Sequence, residues 1–169
     1  MKPLLFCDID GVLSVWPARL DEGSSTDFLN VEGVIHALSR PAAANLRELA
    51  HRFEVVWASG WEEKANEHLP ALLGCGPFPH LELDAARGPG RSVHGHWKLG
   101  AIDAHAGPDR PLAFVDDALD EACERWAANR PGPSLLVHTD PATGLDDAAA
   151  ARLRAFAAAV TASNGTHPA

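Results

Sequence analysis

An α/β three-layer sandwich with a central parallel sheet is the fold class that three observations predict. Short apolar runs alternate with segments of helical periodicity. Those runs are apolar at consecutive positions, as strands buried on both faces must be. Several of them end in Asp or Ser, the residue types that serve chemistry where parallel strands reach the edge of a sheet.

The first strand is residues 4–7, Leu-Leu-Phe-Cys, followed by the tight turn Asp8-Ile9-Asp10-Gly11. Residues 14–40 contain Pro17, Gly23, Ser24, Ser25, Asn30 and Gly33, and are expected to form a flap or loop with little regular structure. Pro41 opens a helix that Ser39 can cap, with Ala43, Leu46, Leu49 and Ala50 at helical spacing. Residues 53–58 are the second strand and stop at Ser59-Gly60. A helix is predicted over 62–73, ended by Gly74. Residues 80–84 form a third short strand, and 86–95 a Gly- and Pro-rich loop.

Trp97 to His105 is expected to be a short helix carrying Lys98. Residues 111–115 are the fourth strand and run into Asp116-Asp117. A helix over 118–128 turns Leu119, Ala122, Cys123 and Trp126 inward, and Pro131 and Pro133 follow it. Residues 135–137 are the last strand. A helix over 146–160 presents Leu153, Phe156 and Val160 on one side. The segmentation gives one domain over 1–162 and a disordered tail over 163–169.

The size agrees with this, because 169 residues, 46% of them hydrophobic, suit one domain with a substantial core. A net charge of −9 makes the chain a poor general binder of nucleic acid or anionic membrane. Three well-separated cysteines give neither a disulfide framework nor a zinc site, so a reducing cytoplasmic location is expected. The apolar run 3–7 is too short for a signal peptide, and no run approaches the ~20 residues of a membrane helix. No stable protein partner is readable.

Parallel strands place their carboxyl ends on one edge. Asp8, Asp10, Ser59, Asp116 and Asp117 are therefore expected to converge. Four carboxylates together raise one another's pKa unless a cation intervenes. Oxygen ligands point to Mg²⁺, and Lys98 supplies an ammonium. One carboxylate can then attack phosphorus while another passes a proton to the leaving oxygen. Each residue also has a structural reading. Asp8 and Asp10 suit a turn, Ser59 and Asp116-Asp117 suit helix caps, and Lys98 suits a solvated surface, with Lys64 a rival cation. Trp57 is expected in the core. Trp61 and Trp97 can stack a ring or pack beside the site. Arg87 and Arg91 can bind a second phosphate, and His94 and His96 can touch substrate or a metal, although a pair in a Gly-rich loop is expected to be solvated.

These residues make the chain resemble the haloacid dehalogenase (HAD) superfamily of phosphohydrolases. The resemblance runs over four motifs in order: Asp8-x-Asp10-Gly11-Val12-Leu13 after a strand, residues 55–61 with Ser59-Gly60, Lys98, and Phe114-Val115-Asp116-Asp117. It implies a sheet of order 5-4-1-2-3, with Asp8 as nucleophile and Asp10 as general acid/base. Asp8, the Asp10 carbonyl and Asp116 would hold Mg²⁺ with Asp117 in or behind the metal shell, and Ser59, Gly60 and Lys98 would bind the phosphoryl group. Trp57-x-Ser59-x-Trp61, Ala65-Asn66 and Asp140-Pro141-x-x-Gly144-Leu145 look more closely like the small HAD domains associated with bacterial RNA-repair proteins. Polynucleotide 3′-phosphatase domains are similar in having little or no cap. Here 14–40 and 74–96 are too short for a full cap, so an open site is expected.

The implied activity is Mg²⁺-dependent hydrolysis of a phosphomonoester, on a nucleic-acid end, a nucleotide or a small metabolite. A phosphotransferase with the same intermediate is the alternative, as is a non-catalytic phospho-acceptor or binding domain. In a response-regulator receiver the Lys follows the last strand, whereas Lys98 precedes Asp116-Asp117. A dehalogenase proper needs neither Asp10 nor the acidic pair.

Overall fold

The computed structural model of the protein describes residues 1–17, 25–83 and 96–164. Its centre is a parallel sheet of β1 (Leu4–Cys7), β4 (Glu54–Trp57), β5 (Leu112–Asp116) and β6 (Ser134–His138), in the order β4-β1-β5-β6. Strand β1 is hydrogen-bonded on both sides, with Cys7 level with Trp57 and Val115. Because side chains alternate across a strand, each strand feeds two cores. Leu5, Cys7, Val55, Trp57, Ala113 and Val115 face one core, which Leu46 and Leu49 of α1 (Arg40–Leu49) and Ala150 and Leu153 of α6 (Asp147–Asn164) complete. Leu4, Phe6, Val56 and Phe114 face the other, with Leu99 and Ile102 of α4 (Leu99–Ala106) and Cys123 and Trp126 of α5 (Glu121–Asn129). This is the expected three-layer sandwich.

Helix starts follow the capping chemistry. Ser39 Oγ accepts the Ala42 N–H, with Pro41 in the first turn of α1. Asp120 Oδ1 accepts the Cys123 N–H, so α5 begins at Glu121, three residues later than the sequence suggests. The helix expected over 62–73 is divided by Pro70 into α2 (Lys64–His68) and α3 (Pro70–Leu73), and Gly74 closes it in the left-handed conformation. Helix α6 runs to Asn164, four residues past the helix end expected at Val160.

Two expectations need correction. In the implied order 5-4-1-2-3, the third strand is only a single parallel bridge between Trp57 and His80. Trp57 N–H donates to Pro79 O and Leu81 N–H to Trp57 O, but Pro77 and Pro79 have no N–H with which to lengthen the ladder.

The 14–40 flap is also more regular than expected. It holds an antiparallel hairpin of β2 (Thr26–Val31) and β3 (Val34–Ser39). Its two-residue turn, Glu32-Gly33, has positive φ at both positions, and Asn30 Oδ1 accepts the Gly33 N–H at 2.8 Å. The hairpin docks onto the segment after β1: Val15 N–H donates to Ala37 O and Ser39 N–H to Leu13 O. Lys64 Nζ pairs with Glu32 at the tip, and Arg40 with Asp27 at the base.

Candidate active site

The carboxyl ends of β4, β1 and β5 lie side by side, and the residues that leave them form the site. The chain turns sharply after β1, because Ile9 O accepts the N–H groups of Val12, Leu13 and Ser14. That turn fixes Asp8 at the strand end, where Asp8 Oδ1 accepts the Ile9 N–H at 2.8 Å. Asp116, the last residue of β5, is fully buried, and its Oδ1 accepts the Ala118 N–H. Lys98 stands immediately before α4 and is 3% exposed. Its Nζ bridges Asp8 Oδ2 at 2.6 Å and Asp116 Oδ2 at 2.7 Å.

Asp117 completes the group. Asp8, Asp116 and Asp117 each bring an oxygen within 4.8 Å of the others. Three carboxylates thus face one ammonium, a formal excess of two negative charges. Burial pushes the Asp8 carboxyl up to about 6, Lys98 opposes that rise and Asp116 adds to it. Burial and Asp116 raise Asp117 as well. The ammonium fares differently: burial lowers Lys98, but two carboxylates more than compensate and raise it. The carboxylates are short of positive charge and Lys98 is not. An all-oxygen, charge-deficient cluster can hold a hard divalent cation.

The surrounding backbone is built around Asp117. Gly11 has φ +72°, and a Cβ there would stand 2.3 Å from Asp117 Cγ. Thr139 Oγ1 donates to Gly11 O at 2.8 Å, and His138 Nε2 lies 2.7 Å from Asp117 O. Gly11→Ala is therefore expected to displace Asp117 and to strain the turn. A cost of about 1–2 kcal/mol in stability and about tenfold in Mg²⁺ affinity is expected, read by thermal unfolding and titration calorimetry. Unchanged Mg²⁺ binding in the folded variant would count against Asp117 as a ligand.

Asp10 is brought to the same edge, but its carboxylate stands outside the three-residue cluster. It is 45% exposed, accepts the Trp61 Nε1–H at Oδ2, and has His36 Nδ1 3.4 Å from Oδ1. Ser59 is buried just past β4, and Gly60 beside it is exposed. Lys64, the rival cation, is occupied with Glu32. Trp57 is in the core as expected, its Nε1–H donated to Asn66 Oδ1. Trp61 packs beside the site, and Trp97 lies with its ring centroid 5.3 Å from Lys98 Nζ. His96 is buried against Phe114, contrary to the solvated position expected, and burial lowers its pKa. Arg87, Arg91 and His94 lie outside the described residues.

His36, Thr139 and His138 are contributors that the sequence reading missed. His36 comes from a hairpin read as loop. The polar pair after β6 did carry a signal, since His138-Thr139 repeats the pattern of a strand ending in polar residues.

No helix among the described residues is long and apolar enough to cross a membrane. No curated protein and no solved structure matches the chain. A family model described as the HAD domain in Swiss Army Knife RNA repair proteins matches residues 4–150, a span that takes in every strand and all the residues of the site. With its strand-end carboxylates, its buried lysine and a match over most of its length, the chain belongs to this family of small HAD domains.

Proposed function

We propose that the protein is a Mg²⁺-dependent phosphatase that hydrolyses a phosphomonoester through an aspartyl-phosphate on Asp8. The observation that carries this reading is the Lys98 bridge between Asp8 and Asp116, with Asp117 alongside and Asp10 held apart. Asp8, Asp116 and Asp117 would hold the cation, with the Asp10 carbonyl as a further ligand. Bound there, Mg²⁺ supplies the positive charge that the cluster lacks and shields the approaching phosphate.

The chain's own groups divide the remaining work. An Asp8 oxygen attacks phosphorus as the bond to the leaving oxygen breaks. Asp10 gives its proton to that oxygen. It then takes a proton from the water whose oxygen displaces Asp8 from phosphorus, which releases inorganic phosphate and restores the Asp8 carboxylate and the protonated Asp10. Lys98 carries three N–H donors, two of them committed to carboxylates, and its charge stabilises the phosphoryl oxygens with Ser59 and the Gly60 backbone. The family's place in RNA repair favours a phosphorylated RNA end as the substrate.

Phosphate release from p-nitrophenyl phosphate tests the chemistry. Activity is expected with Mg²⁺ and at least about a hundredfold less with excess chelator. Undiminished release in chelator would sink the metal-dependent reading. Oligonucleotides phosphorylated at the 3′ or 5′ end, set against nucleotides and sugar phosphates, then test the substrate.

A further inference from the structure

Asp10 and Trp61 belong to different motifs, yet the Trp61 Nε1–H donates to Asp10 Oδ2 at 3.0 Å. On the other side of the carboxylate, His36 Nδ1 lies 3.4 Å from Oδ1 and 3.3 Å from Ser14 Oγ. The two rings pack edge to face, their centroids 4.5 Å apart. Each oxygen of Asp10 thus meets a ring nitrogen from a different element, the turn after β4 or strand β3. The Asp10 side chain is 45% exposed, so close packing does not set its direction. Asp8, by contrast, is buried and bonded to Lys98 and the Ile9 N–H.

The backbone that aims Trp61 is strained. Glu62, the next residue, has φ +48°, uncommon outside glycine. It is held there by its N–H donating to Ser59 O and by its Oε1 accepting the Leu83 N–H. Trp61 itself is 9% exposed, which removes it as a platform for stacking a base. An indole N–H donates only, so it orients a carboxylate without entering the proton transfer.

We propose that Trp61 is a positioning residue that holds the Asp10 carboxylate in register for proton transfer, with His36 flanking the second oxygen. The proposal rests on the phosphatase reading above, in which Asp10 is the acid/base.

Trp61→Phe keeps the ring and removes the N–H. At saturating Mg²⁺, its kcat on glycerol phosphate, whose alkoxide leaving group needs a proton, is expected to fall about tenfold or more. The fall on p-nitrophenyl phosphate, whose leaving group needs less help, is expected to be smaller, with KM within about twofold of wild type in both cases. In an Asp10→Ala background, Trp61→Phe is expected to cost nothing further, because residues that act through one group are not additive. Equal losses on the two esters, or a full additional loss in the double variant, would overturn the proposal and make Trp61 a general support of the fold. Crystal structures give a readout without turnover: the Asp10 carboxylate is expected to rotate in Trp61→Phe, and an unmoved carboxylate overturns the proposal. Full activity in Asp10→Ala sinks the acid/base reading instead. If wild type hydrolyses neither ester, the phosphatase reading fails for these probes and the crystal structures alone decide the positioning.

Discussion

Asp8→Asn is expected to abolish phosphate release and leave the fold standing. The amide matches the carboxylate in size but cannot form an acyl phosphate, so turnover of p-nitrophenyl phosphate should drop at least about a thousandfold. The expected stability follows from the direction of the Asp8 shift. Burial raises its carboxyl from 3.8 to about 6. The folded state therefore holds this proton more tightly than the unfolded chain does. That advantage is complete below pH about 4 and is gone once the pH has risen through about 6. At pH 7 the metal-free wild type buries an ionised Asp8 beside Asp116, a cost that the neutral amide does not carry. Lys98 keeps Asp116 as its partner. Thermal unfolding in chelator should place Asp8→Asn within a few degrees of wild type or above it. Turnover within about tenfold of wild type would remove Asp8 as the nucleophile.

The strands and their ends were readable because burial on both faces leaves a plain mark. Leu4 to Cys7 and Leu112 to Val115 are apolar without a break, since each residue enters one core or the other. Once those strands are parallel, chain direction puts Asp8 and Asp116 on one edge of the sheet, and the pairing of β1 with β5 makes them neighbours. Lys98 could be nominated but not placed, because a lysine before a helix looks the same whether its ammonium is in solvent or between two carboxylates. The hairpin was hidden for a different reason. Phe28, Asn30 and Ile35 lie on the outward face and are exposed, while His36 interrupts the inward row of Leu29, Val31 and Leu38. Its stability comes from docking onto Leu13 and Val15, a tertiary effect with no local signature. Glu32-Gly33 between Val31 and Val34 was the available turn signal. The contact between Asp10 and His36 was invisible for the same reason, since it exists only after the hairpin has docked.

Lys98→Met separates the electrostatic account of the site from a purely catalytic one. The methionine fills the space of the lysine stem but leaves Asp8 and Asp116 facing each other in a buried place with no cation between them. Loss of the ammonium from the phosphoryl oxygens should lower kcat about a hundredfold to a thousandfold. Removal of one member of a buried charged group costs about 3–5 kcal/mol, so the metal-free variant should unfold on the order of 10 °C below wild type at pH 7. Two further responses follow from the same charge deficit. Lowering the pH toward 5 should recover stability in the variant more than in wild type, because two facing carboxylates share a proton once their cation is gone. Added Mg²⁺ should also raise its unfolding temperature, because a ligand that binds only the folded cluster stabilises it by mass action. Differential scanning calorimetry across pH and Mg²⁺ concentration reads both. A variant that loses activity yet unfolds like wild type under every condition would mean that Lys98 serves the substrate alone and that the carboxylates need no cation in the resting protein.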